Sequence, residues 1–239
     1  LESFVRQILE VHSRLGIEAS REQIIESLKP DIAQIAFALV NTATASKKFE
    51  LVKRFFEQDI IKTEFGFDIN FTSKVEDGVT YSYATSVCNH FIKIGDEEGL
   101  ESLLREFPEL NLNIVSGDTD IPSLLNKIAT KTDFNRQVVK ASGKEYDTEE
   151  TEYYEMTPLL SLSCSRLVYD KPDYFQRAYN ILKRHGLDIN HPVGDGVNNF
   201  FISNIVTRSV SKKLLLDHGA DYKVISRSTG MNFLHVMFQ

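Results

Sequence analysis

The side chains with the widest chemical reach in this sequence are six histidines and two cysteines. An imidazole can ligate a metal or move a proton near neutral pH, and a thiolate can attack carbon or hold a soft metal. The spacing favours neither use. Cys88 and Cys164 lie far apart and form no CxxC pair, so neither a zinc cage nor a disulfide framework is written here. Cys88-Asn89-His90 places a thiol near an imidazole, but residues two apart on a helix point to different faces and no orienting Asn or Asp is identifiable. Cys88, like Cys164 in Leu162-Ser163-Cys164, reads better as a buried small hydrophobe. No HExxH, GxSxG, Walker loop or GxGxxG occurs. The expectation is a chain that is not itself an enzyme, with no catalytic residue, no metal ligand and no cofactor.

The histidines carry a different message. Ile181-Leu182-Lys183-Arg184-His185-Gly186-Leu187-Asp188-Ile189-Asn190 aligns with Leu214-Leu215-Leu216-Asp217-His218-Gly219-Ala220-Asp221-Tyr222-Lys223 at an offset of 33 residues. A fixed period of that length signals stacked repeats. His185 and His218 both fall at a helix C-terminus, where the dipole favours partial positive charge, so a structural role is expected for them. The Gly that follows each can take positive φ and stop the helix, and the Asp suits the turn beyond. Gly66-Phe67-Asp68-Ile69-Asn70 repeats the ending upstream, and Leu103-Leu104-Arg105-Glu106-Phe107-Pro108, running into Leu110-Asn111-Leu112-Asn113, is a weaker copy stopped by Pro.

Each ending is followed by a new helix start. After Asn70 comes Gly78-Val79-Thr80-Tyr81-Ser82-Tyr83-Ala84, after Asn190 comes Gly196-Val197-Asn198-Asn199-Phe200-Phe201, and after Lys223 comes Gly230-Met231-Asn232-Phe233-Leu234-His235. Thr157-Pro158-Leu159-Leu160 is the plainest, a capping hydroxyl followed by Pro at the first helical position. These segments resemble ankyrin repeats, whose pattern runs G-x-T-P-L-H-x-A and then a second helix ending L-L-x-x-G-A-D-x-N. The resemblance is closest at Leu214 to Asp221 and at Gly230 to His235. It covers roughly residues 30 to 239 and is strongest from 157 onward.

The resemblance implies an all-α solenoid of stacked helix-turn-helix units with hairpin loops. Residues 1–29 are read as a helical lead-in, followed by a divergent unit with helices Asp31 to Val40 and Ser46 to Glu57. Further units begin near Gly78, Thr119, Thr157 and Gly196, and a truncated last one at Gly230: about five and a fragment over 30–239. His235 stands where the family has the His that bridges the turn by hydrogen bonding.

Such stacks present hairpin tips and first-helix faces along a concave groove where partners dock. The tip residues are Lys74, Glu76, Asp77, Asp118, Asp120, His191, Asp195, Ser226 and Arg227, mostly acidic or polar. Lys140 to Met156 stretches one hairpin, and its six acids from Glu145 to Glu155 interleave with Tyr146, Tyr153 and Tyr154, an acidic and aromatic finger or a solvated loop. Arg166 to Pro172 reads as a smaller insertion without a role.

Charge sets the partner class. At −7 overall the chain repels phosphate backbones and anionic membranes, so the expected partner is another protein, one with a basic surface, met by a monomer. No apolar run is long enough to span a bilayer, the residues from Leu1 lack the basic, apolar and small-residue order of a signal peptide, and the two scattered cysteines suit a reducing compartment, so the cytoplasm is the expected location. The chain begins at Leu1 and stops at Gln239 inside an apolar segment, which reads as a piece of something longer. Two functions follow: a binding scaffold, or the substrate-selecting arm of a larger enzyme. The eroded repeats resemble those of bacterial effectors acting in the host cytosol.

Overall fold

The computed structural model describes residues 2–74, 80–114, 157–165, 167–201 and 209–237. The architecture is mostly helical. Helices α1 (Glu2–Arg14), α2 (Arg21–Ala45) and α3 (Phe49–Phe56) are followed by a π-helical turn at Ile60–Glu64 and by strands β1 (Thr72–Lys74) and β2 (Thr80–Ser82). Helices α4 (Tyr83–Ile94) and α5 (Glu97–Glu106) come next, then α6 (Pro158–Cys164), α7 (Leu167–Asp170) and α8 (Pro172–Arg184). Strands β3 (Pro192–Gly194) and β4 (Val197–Asn198) and helices α9 (Ser209–Asp217) and α10 (Phe233–Met237) complete the described chain. The strands form two separate antiparallel hairpins.

Helix starts obey one rule. Ser82, Thr157, Asn198 and Asn232 each offer a side-chain oxygen to the backbone N–H three residues on, at Thr85, Leu160, Phe201 and His235. This satisfies one otherwise orphaned amide at each helix entry. Ser20 and Gln23 do the same for α2 as a reciprocal capping box.

Helix pairs then line up in a row. Helix α2 packs on α3 and α4, α4 packs on α5 and α6, and α8 packs on both α5 and α6. The core runs along this row: Val40, Val52, Val87, Cys88, Phe91, Leu103, Leu104, Leu159, Leu162, Phe175 and Leu182 are all buried. At the N-terminal end an aromatic cluster fills the space under the first hairpin. There Phe71 meets Phe37 edge-on at 6.0 Å and stacks on Tyr83 at 5.9 Å. The Tyr83 hydroxyl is satisfied by Thr44 at 2.5 Å, and the Thr44 hydroxyl donates in turn to the Val40 carbonyl.

One expectation needs correction. No helix begins at Asp31: α2 runs unbroken from Arg21 to Ala45 with Pro30 inside it. A mid-helix Pro costs about 3 kcal/mol, but Ile24, Ile25, Ile32, Ala33, Ala36, Phe37 and Val40 form one buried stripe on both sides of it, and their burial outweighs that cost. The unit expected to begin near Thr119, between α4/α5 and α6/α8, lies outside the described residues. These two pairs pack directly on each other, and the Tyr174 hydroxyl of α8 donates to the Ile92 carbonyl of α4 at 2.8 Å. Residues 115–156 lie outside the described part.

The short α7, from the stretch given no role, does pack: Val168 is buried, and Leu167 sits so close to Gly95 that a Cβ there would meet it at 2.8 Å.

Candidate protein-binding edge

The turns that leave the second helices carry the recurrent chemistry. Each has an Asx turn: the Asp68 carboxylate accepts from Asn70 N–H, Asn111 from Asn113, Asp188 from Asn190 and Asp221 from Lys223, at 2.8 to 3.0 Å. The asparagine two places on then reaches the next unit. Asn70 donates to the Glu109 carbonyl and accepts from Asn111 N–H, Asn113 donates to Gly186 and accepts from Asp188, and Asn190 donates to Gly219 and accepts from Asp221. One side chain thus welds two turns, three times over. The middle weld joins residues 75 apart in sequence, which fixes the direct contact between the two central helix pairs.

The histidine pair behaves equivalently. Each ring reaches back to the fifth residue of the preceding second helix: His185 Nε2 to Glu101 at 3.2 Å, and His218 Nε2 to Gln176 within hydrogen-bonding distance. Burial disfavours the charged Glu101 carboxylate, but the His185 ring and the neighbouring Arg184 guanidinium outweigh it and hold its pKa below the ordinary value. His235 Nδ1 lies 2.7 Å from Asn232 Oδ1, against the residue that caps its own helix.

Charge also ties the outer helices together. Lys47 meets Asp96 and Lys53 meets Glu106, both at 2.6 Å, joining α3 and its lead-in turn to α5. On the other flank of α5, Glu97 receives Arg177 through two hydrogen bonds and Glu101 receives Arg184 at 2.6 Å. Helix α5 and its cap thus supply carboxylates on both flanks, and the neighbours supply cations.

The hairpins project from the ends of this frame. In the first, Thr72 pairs with Ser82 and Lys74 with Thr80. In the second, Pro192 pairs with Asn198. The third is reduced to an Ile225 to Asn232 bridge. Asp195 sits at the second tip with φ of 49°, between two positive-φ glycines. Its carboxylate turns toward the third hairpin and accepts from the Ser226 hydroxyl at 2.5 Å, the Ser228 hydroxyl at 2.8 Å and Ser228 N–H at 3.0 Å. Burial opposes its ionisation, but these donors and nearby Arg227 hold its pKa below the ordinary value. Gly196 completes the contact: a Cβ there would meet the Ile225 carbonyl at 2.9 Å and Arg227 Cγ at 3.1 Å.

Four of the sequence-assigned tip residues are described well enough to place by their side chains. Asp195 and Ser226 face each other rather than solvent, and Ser226, at 1% exposure, is a structural hydroxyl and not a contact residue. His191 is half-buried, and its backbone joins the Asp188 turn to the Asn199 helix start. Arg227 is exposed. Lys74 ends β1. Glu76, Asp77, Asp118, Asp120, Tyr146, Tyr153 and Tyr154 lie outside the described residues. The residues that sequence reasoning missed are the partners, Glu101 and Gln176, and the welding asparagines. The asparagines did carry a signal, the recurring D-x-N.

Among the described residues no three His, Cys, Asp or Glu side chains gather as a metal site, and no helix is long and apolar enough to cross a membrane. No known family model matches the chain, and a search of curated proteins returns no match.

Proposed function

We propose that the chain is an ankyrin-type solenoid whose hairpin edge binds another protein. The observation that carries the reading is the asparagine weld, recurring at Asn70, Asn113 and Asn190 in one register, with a capped helix start following each turn. A row built this way offers a long edge of aligned loops. The free thiol of Cys88, fully buried and with its pKa pushed up to about 12 by burial, suits a reducing compartment and takes no part in binding.

Site-resolved photocrosslinking tests the reading. A photoreactive residue at His191 or Ile225, on the hairpins, should capture partner protein. The same group at Arg105 or Lys183, exposed on α5 and α8, should not. Capture only from α5 and α8 would overturn it.

A further inference from the structure

The third hairpin differs from the other two in what it shows to solvent. Ile225 bridges Asn232 between a turn at Tyr222 and Lys223 and a turn that opens at Arg227, and burial alternates across the bridge: Lys223, Ile225 and Arg227 are exposed, Val224 is half-buried and Ser226 is buried. The alternation leaves Lys223, Ile225 and Arg227 open to solvent together around the bridge. Ile225 is 54% exposed, and beside it Tyr222 is 48% exposed with the Lys223 ammonium 6.0 Å from its ring centroid.

The cation at the end of this stripe is packed at its base and exposed at its head. Arg227 Cγ lies where a side chain at position 196 would stand, and its backbone N–H donates to the Asp195 carbonyl at 2.8 Å. Its guanidinium makes no hydrogen bond or ion pair among the described residues. The Asp195 carboxylate, which feels the Arg227 charge, takes its hydrogen bonds from Ser226 and Ser228. The region is basic against an acidic background: from Ser209 to Met237 there are four Lys and Arg against two Asp, a net +2 in a chain of −7. In the second hairpin the same register holds Asn190, Pro192 and Gly194, so the stripe belongs to the third.

We infer that Lys223, Ile225 and Arg227 form a docking stripe for an extended acidic segment of a partner protein, one with a carboxylate, an aliphatic side chain and a carboxylate at alternate positions. Arg227 takes one carboxylate in bidentate fashion, Lys223 takes the other, and Ile225 covers the aliphatic group. The inference rests on the scaffold reading and, at this hairpin, reverses the expected partner charge: Lys223 and Arg227 stand exposed, while the Asp195 carboxylate is hydrogen-bonded to Ser226 and Ser228.

The probe is a fluorescein-labelled nine-residue peptide with Glu, Leu and Glu at alternate positions and Thr between them, compared with its Lys, Leu, Lys counterpart and with a single-stranded DNA oligonucleotide, all followed by anisotropy. The Glu peptide should bind, and Arg227→Glu should weaken it by roughly tenfold, as expected for a charge-assisted pair. Lys213→Glu, on exposed α9 surface, should leave it unchanged. The double variant Lys223→Glu with Arg227→Glu should gain the Lys peptide, a result that misfolding cannot produce. Indifference to Arg227→Glu, an equal loss with Lys213→Glu, preference for the Lys peptide or the oligonucleotide, or binding of none of the three would overturn the proposal. If none binds while crosslinking still maps a partner to the hairpins, the stripe falls and the scaffold stands.

Discussion

Single side chains decide how neighbouring turns are held. Asn190 makes two hydrogen bonds to the next turn, so Asn190→Ala leaves the Gly219 carbonyl and Asp221 N–H to water and should cost about 1 to 2 kcal/mol in urea unfolding. Asn190→Asp keeps the acceptor and removes the donor, and should fall between the two. Gly196→Ala should cost about 1 to 3 kcal/mol, because φ of 79° is strained for alanine and its Cβ would stand 2.9 Å from the Ile225 carbonyl. Glu101 gives a pH signature. Its folded pKa lies below the ordinary 4.5, so its stabilising effect is complete above that value and is lost as pH falls through the folded pKa. Glu101→Gln should therefore lower the melting temperature at pH 7 and converge with the parent protein as pH falls through the folded pKa of Glu101. A difference that stays equal over the whole acid range would show that packing rather than charge is at stake.

At the scale of the element, helix starts and stops were legible and neighbour order was not. The Gly-x-Asp-x-Asn endings at 66–70 and 186–190 and the Thr157-Pro158 start are local chemistry, readable from a few adjacent residues. The start of α2 was not legible because Pro30 is a local breaker whose effect depends on a buried stripe extending ten residues beyond it. Glu101 could not be matched with His185 from sequence, since 84 residues separate them and their meeting depends on which helix pair is the neighbour. The stretch after Asn113 has room for a unit by length, yet Asn113 reaches Asp188 directly. It follows that replacing 115–156 with a hairpin the length of His191–Val197 should preserve the row, with the circular dichroism of the helices per residue maintained and a cooperative melt. Loss of cooperativity would show that the replaced residues are needed for the contact.

For the whole molecule, stability is a chain of neighbour terms, so the position of a lesion matters as well as its size. Asn113→Ala lies at the central contact and Asn190→Ala toward one end. The first should broaden or split the urea transition when followed by hydrogen exchange, with the two flanks opening separately, while the second should lower protection mainly from α9 onward. Matching protection losses in both variants would mean that the row unfolds as one block. The polarity of the ionic rungs adds a constraint of another kind. Helix α5 presents acids to both neighbours, and each neighbour answers with bases, so the α4/α5 pair fits only between partners of opposite sign. A tandem copy of this pair would set Glu97 and Glu101 of one against Asp96 and Glu106 of the other. Duplicating the middle pair would carry that like-charge repulsion into the new contact, at about 1 kcal/mol or less for each pair so exposed.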